Sequence, residues 1–187
     1  MRSNILLAIV PALWLGTTAC RGPSDPVKVK AIDEMTGQVD GLLLQLNAVD
    51  LPRYARMDSV FRTSQEQAIE EMLRDTLDRE RALLVGNYFR AMDRAVPRVR
   101  RETPRLIDEL ARSKMQLKDL RHDIDRGLLP DGPKNTYFDQ EKLVVEQLDR
   151  STGVVLQSQG TADRAWSDRQ AVDSLIMSHA EERAERP

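Results

Sequence analysis

The 187-residue chain contains one cysteine, two histidines, two tryptophans, three tyrosines and three phenylalanines. A single cysteine has no intramolecular partner, which excludes a disulfide framework. So few aromatic and β-branched residues, beside abundant Arg, Glu, Leu, Ala and Gln, argue against a β-sandwich or barrel. Nine glycines and nine prolines are too few for a collagen-like chain, and 41% hydrophobic content is too high for full disorder. A net charge of -2 supplies no basic field to draw in nucleic acid. The apolar run from Ile5 to Leu15 falls short of the roughly 20 residues that span a bilayer, and it carries Pro11.

That run has another reading. Arg2 precedes it and the small residues Gly16-Thr17-Thr18-Ala19 follow it, the layout of a secretory signal. The only cysteine stands directly after. Thr17-Thr18-Ala19-Cys20 resembles the lipobox of bacterial lipoproteins, departing from it at Thr17, where Leu is usual. The resemblance covers the first 20 residues alone. It implies a signal peptide over 1–19, cleavage before Cys20 and thioether lipidation of that residue. A plain signal peptide cut after Ala19, leaving a free thiol, is the alternative. Several acyl chains at about 0.8 kcal/mol per buried CH₂ would hold the chain on a membrane. The family's sorting rule, with Arg21 rather than Asp after the cysteine, implies the outer membrane, facing the periplasm. Residues 20–26 then form the lipidated cysteine and a short Pro/Gly/Ser tether.

Residues 27–187 read as a single helical domain. Val29, Ile32, Met35, Val39, Leu42, Leu43 and Leu46 step by three and four, the stripe of an amphipathic helix. Asp50-Leu51-Pro52 is a turn with proline opening the next helix. A second segment, about 52–95, carries Tyr54, Met57, Val60 and Phe61, then Ile69, Met72, Leu73, Leu77, Leu84, Tyr88, Ala91 and Met92. Within it Thr63-Ser-Gln-Glu66 is either a capping box at a bend or an outward-facing stretch of helix.

Pro97 and Pro104 punctuate the following stretch, and Thr103-Pro104 has the form of an N-cap followed by proline at the first helical position. Leu106, Leu110, Ser113, Leu117, Leu120 and Ile124 then make a heptad seam. Gly127 stops that helix, and Leu128-Leu129-Pro130-Asp131-Gly132-Pro133 is a loop. The last segment, about 134–183, is one long helix or two divided at Gly160. Its apolar side is assigned to Tyr137, Val144, Leu148, Thr152, Val155, Ala162, Trp166, Val172, Leu175 and Ile176. Gly153 and Gly160 share a face that would permit close helix approach. The polar stretch from His179 is expected to fray. The predicted fold is all-α: an elongated antiparallel helical bundle or hairpin of three to four long helices.

Catalytic motifs are missing from the sequence: no G-x-S-x-G, H-E-x-x-H, G-x-x-x-x-G-K-[ST] or G-x-G-x-x-G occurs. With its one cysteine assigned to lipid, Cys-His catalysis has no nucleophile. No enzyme activity, cofactor or metal is expected. Asp119-x-x-His122-Asp123-x-Asp125 is the best metal candidate, yet two histidines are too few for a nitrogen-rich site, and a hydrated face near a helix C-terminus explains it. His179-x-x-Glu182 is weaker still.

One charged cluster remains. Arg90, Arg94, Arg98, Arg100, Arg101 and Arg105 lie around Pro97. Beside a bend they would make a knuckle for phosphate or lipid headgroups, because guanidinium forks match phosphate bidentately. Asp93 and Glu102 dilute the charge, and a solvated, ion-paired face is the competing reading. The sequence thus points to a non-enzymatic, lipid-anchored interaction or structural module of the bacterial envelope. Its partners would be the membrane and another envelope protein or a second copy. A periplasmic ligand-sensing or chaperone-like module, binding a client or a metal, is the rival.

Overall fold

The computed structural model describes residues 24–72 and 78–184. The signal segment, Cys20 and most of the tether lie outside them. Five helices occur among the described residues: α1 (Pro26–Asn47), α2 (Leu51–Met72), α3 (Arg79–Asp125), α4 (Asp131–Ser167) and α5 (Arg169–Ala184). They form an all-α bundle of three long rods, with α1–α2 as the first, α3 as the second and α4–α5 as the third.

Side-chain pairs set the directions. Asp33 meets Arg121, Asp40 meets Lys114 and Asp58 meets Arg100, so α1–α2 run antiparallel to α3. Arg98 meets Ser158 and Arg81 meets Glu182, so α4–α5 also oppose α3. At about 1.5 Å per residue the 47 residues of α3 give the bundle a length of about 70 Å.

Capping follows local chemistry. The Asp25 carboxylate accepts from the Lys28 N–H at 3.1 Å, with Pro26 opening α1. Asp50 does the same for α2 through the Arg53 N–H at 2.9 Å. Gly127, at φ 63°, ends α3 by donating to the Ile124 carbonyl, while Leu128 N–H reaches back to Asp123. That is the left-handed glycine stop the loop composition predicted.

Two buried clusters lie end to end. The lower one joins Ile32, Val39, Leu42 and Leu46 to Leu106, Leu110, Leu117, Leu120 and Ile124, with Val145, Leu148 and Val155 from α4. The upper one joins Tyr54, Met57 and Phe61 to Val85, Tyr88, Met92, Val96 and Val99, with Ala162, Ala165 and Val172. Buried positions on α3 alternate steps of three and four except between Tyr88 and Thr103, where Ala95 and Val96 are both buried and, by either one, two steps of four follow each other. Such a stutter locally unwinds a left-handed supercoil.

Several expectations need correction. α3 runs unbroken through Pro97 and Pro104. Each proline frees the carbonyl four residues back, on Asp93 and Arg100, and both of those residues are exposed, so water can satisfy them. Flanking burial of Val96, Val99 and Leu106 holds the helix together. Thr103 is therefore no cap: it is fully buried, and its hydroxyl has no hydrogen-bond partner.

The predicted 52–95 segment is not one helix: Asp78 opens α3 as its N-cap, accepting from the Glu80 and Arg81 N–H groups. Of the two readings of Thr63, the helical one holds: α2 continues through it, exposed, with its hydroxyl donating to the Ser59 carbonyl. The third rod breaks at Asp168, not at Gly160. A Cβ added at Gly153 would meet nothing within 4 Å, and at Gly160 only the Arg164 Nη1 at 4.0 Å, so neither glycine mediates close packing. Tyr137 and Val144 are 49% and 41% exposed; Lys134 and Val145 occupy the buried line. Leu84 likewise yields its place to Val85. The segment expected to fray is helical to Ala184, with His179 buried.

Candidate functional site

α3 is continuous through Pro97. The six candidate arginines distribute around it. Arg100 points toward α2 and pairs with Asp58, which also takes Arg62 at 3.1 Å. Arg101 and Arg105 both bind Glu102 at 2.8 Å, and Arg105 reaches Glu109 at 2.7 Å. Hydrogen bonds from Arg101, then Arg105, hold the Glu102 carboxyl below its ordinary range. These three arginines have their charge answered locally, at exposed sites where such pairs contribute little stability.

Arg90, Arg94 and Arg98 behave differently. Spaced i, i+4, i+8, they form one ladder on α3 beside α4. Together with Asn87, Ala91, Ala95, Gln157, Ser158 and Thr161 they line a groove of about 360 Å³. Ala91 and Ala95 leave room at its base, since their side chains stop at Cβ. Arg98 Nη1 donates to Ser158 Oγ at 3.4 Å, and that hydroxyl spends its own proton on the Val154 carbonyl at 2.8 Å. Thr161 donates to the Gln157 carbonyl at 3.0 Å. Both hydroxyl protons are thus committed inward. Arg90 and Arg94 have no ion pair or hydrogen bond among the described residues.

No acidic side chain lines the groove. The nearest acid on α4, Asp163, faces α2: it accepts from the Tyr54 hydroxyl at 2.8 Å and pairs with Arg53 at 3.0 Å. Burial first, and that hydrogen bond second, push the Tyr54 phenol up to about 12. Farther down the same α3–α4 seam, two grooves of about 310 Å³ are lined by Arg105 together with Glu102 in one and Glu109 in the other. Charge alternates there. Only the upper stretch is uniformly positive.

Comparison with protein-family models, curated proteins and solved structures returns no match. The groove must therefore be read from its own chemistry. Its lining offers guanidinium and carboxamide donors, and no carboxylate, imidazole, thiol or amine that would serve as a nucleophile or general base. It is equipped to hold an anion.

The other sequence candidates do not converge. His122 lies 3.4 Å from Asp123, both on the outer face of α3, and Arg121 there engages Asp33. Among the described residues no three His, Cys, Asp or Glu side chains gather into a metal-holding group. No described helix is long and apolar enough to cross a membrane. Cys20 lies outside the described residues. What the sequence reading missed was the α4 wall, Gln157, Ser158 and Thr161, and the paired alanines; the only linear signal was Ala91 and Ala95, four apart between the arginines.

Proposed function

We propose that this chain is a lipid-anchored protein of the bacterial envelope, acting as a non-enzymatic interaction or structural module. The supporting observation is the lipobox-like Thr17-Thr18-Ala19-Cys20 set just six residues before the rod begins at Pro26. Six residues reach only about 20 Å. The first helix starts at the same end as the α3–α4 turn: Lys134 pairs with Asp131 at 2.8 Å and approaches Asp25 at 3.9 Å, and Lys28 lies 5.2 Å from the Phe138 ring. A lipid on Cys20 would tether that end of the rod to the bilayer. The outer membrane, facing the periplasm, is the proposed address. Partners there would be another envelope protein or a second copy.

Labelling cells with a fatty-acid probe tests the anchor. The expected result is label on the wild-type chain and none on Cys20→Ser. An unlabelled wild-type chain overturns the lipoprotein reading. The arginine groove favours a ligand-binding role for the rod itself over a purely passive spacer.

A further inference from the structure

We infer that the groove formed by Arg90, Arg94 and Arg98 of α3 with Gln157 of α4 is a binding site for a ligand carrying two or more phosphate charges. Three observations converge. The groove of about 360 Å³ lies within the usual range for small-ligand sites. Its three guanidinium groups have no carboxylate among them, and two of them have no partner of any kind among the described residues. The remaining free donors at the rim, the Asn87 and Gln157 carboxamides, also present N–H groups.

Charge selects the ligand class. A lone carboxylate would cancel one of three positive charges, and the uncompensated remainder would still repel itself. A pyrophosphate-type anion supplies more charge and several oxygens that guanidinium forks engage two at a time. Geometry agrees: Arg90 to Arg98 spans about 12 Å along the helix, so adjacent arginines can each take a different phosphate. Ser158 acts as a positioning residue. By accepting from Arg98 while donating to the Val154 carbonyl, it fixes that guanidinium over the groove.

Two sources carry this chemistry, a soluble oligophosphate and a phosphomonoester lipid headgroup. Arg94 lies about 45 Å up α3 from the end where α1 begins. A headgroup of the anchoring membrane therefore reaches the groove only if the rod lies along the bilayer, whereas a soluble anion reaches it in any orientation.

Calorimetric titration of the full chain in neutral detergent separates the cases. The probes are pyrophosphate, inorganic phosphate, and dihexanoyl phosphatidic acid against dihexanoyl phosphatidylcholine. Saturable binding of pyrophosphate supports the site and assigns a soluble ligand. Saturable binding of phosphatidic acid alone supports it and assigns a headgroup. In either case Arg94→Gln should weaken binding at least ten-fold, Ser158→Ala should weaken it less, and Arg112→Gln should leave it unchanged. Binding should also fall as salt rises. No saturable binding by any probe overturns the site, as does binding that survives Arg94→Gln together with Arg98→Gln. Circular dichroism checks that each exposed-arginine variant keeps its helix content. The inference deepens the interaction-module reading without depending on the anchor. Loss of acyl labelling would remove the lipid and leave phosphate binding intact; absent phosphate binding would do the reverse.

Discussion

Replacing Pro104 by alanine should stabilise this protein. Pro104 is exposed in the middle of the 47-residue α3, where it withholds a hydrogen bond from the Arg100 carbonyl. A proline inside a helix costs about 3 kcal/mol relative to alanine. Its stiffening of the unfolded chain returns about 1 kcal/mol, which the substitution forfeits. The net expectation is a gain of about 2 kcal/mol, or about 4–8 °C in Tm for a chain of this length. Thermal and urea unfolding followed by circular dichroism at 222 nm read it directly. The opposite outcome is equally specific. If Thr103 capped a new helix with Pro104 at its first position, alanine would remove a favourable residue and the midpoint would stay or fall. A midpoint that does not rise, with helix content intact, refutes the continuous-helix account.

Two further outcomes follow from the core and its buried phenols. Leu110 is 0% exposed in the lower cluster, so Leu110→Ala should cost about 2–5 kcal/mol in urea unfolding. Leu44→Ala, at 75% exposure, should shift stability by less than about 0.5 kcal/mol, and comparable losses from both would contradict the assigned helix faces. Burial raises the Tyr54 and Tyr88 phenols to about 12, with Asp163 and Asp173 contributing after it. Because the folded state prefers the neutral phenols, their stabilisation is whole below the ordinary value of 10 and is lost as pH climbs through 12. The urea midpoint of wild type should drop over that window more steeply than that of Tyr54→Phe/Tyr88→Phe. Parallel curves would show that these phenols do not titrate late.

Legibility varied along the chain for physical reasons. The Leu106–Ile124 seam was readable because a long 3–4 apolar repeat has one buried face whatever lies opposite. Residues 127–130 were readable because glycine and proline act through their own backbone, whereas Asp131-Gly132-Pro133, expected as loop, form the first turn of α4, where a proline N–H would have no intrahelical partner to lose. Pro97 and Pro104 misled, since local propensity assigns each a cost of a few kcal/mol and says nothing of the burial on either side that exceeds it. Tyr137 and Val144 misled differently. α4 carries spare apolar residues, and only the position of α3 decides which line is covered. Of the six arginines, sequence proximity grouped them all, whereas helical rotation turns Arg100 toward Asp58, joins Arg101 and Arg105 to Glu102, and leaves three along the groove.

The sequence by itself determined the helical class, the start of α2 at Leu51-Pro52, the Gly127 stop and the lower apolar seam, because these depend on residues within a turn or two of one another. Tertiary structure alone decided that α3 passes through two prolines and that Arg90, Arg94 and Arg98 face Gln157 across a gap free of acid. Those outcomes depend on which surfaces meet between residues far apart in the chain, Arg100 with Asp58 at a separation of 42 and Arg98 with Ser158 at 60. No local pattern encodes that choice; burial of the rods against each other does.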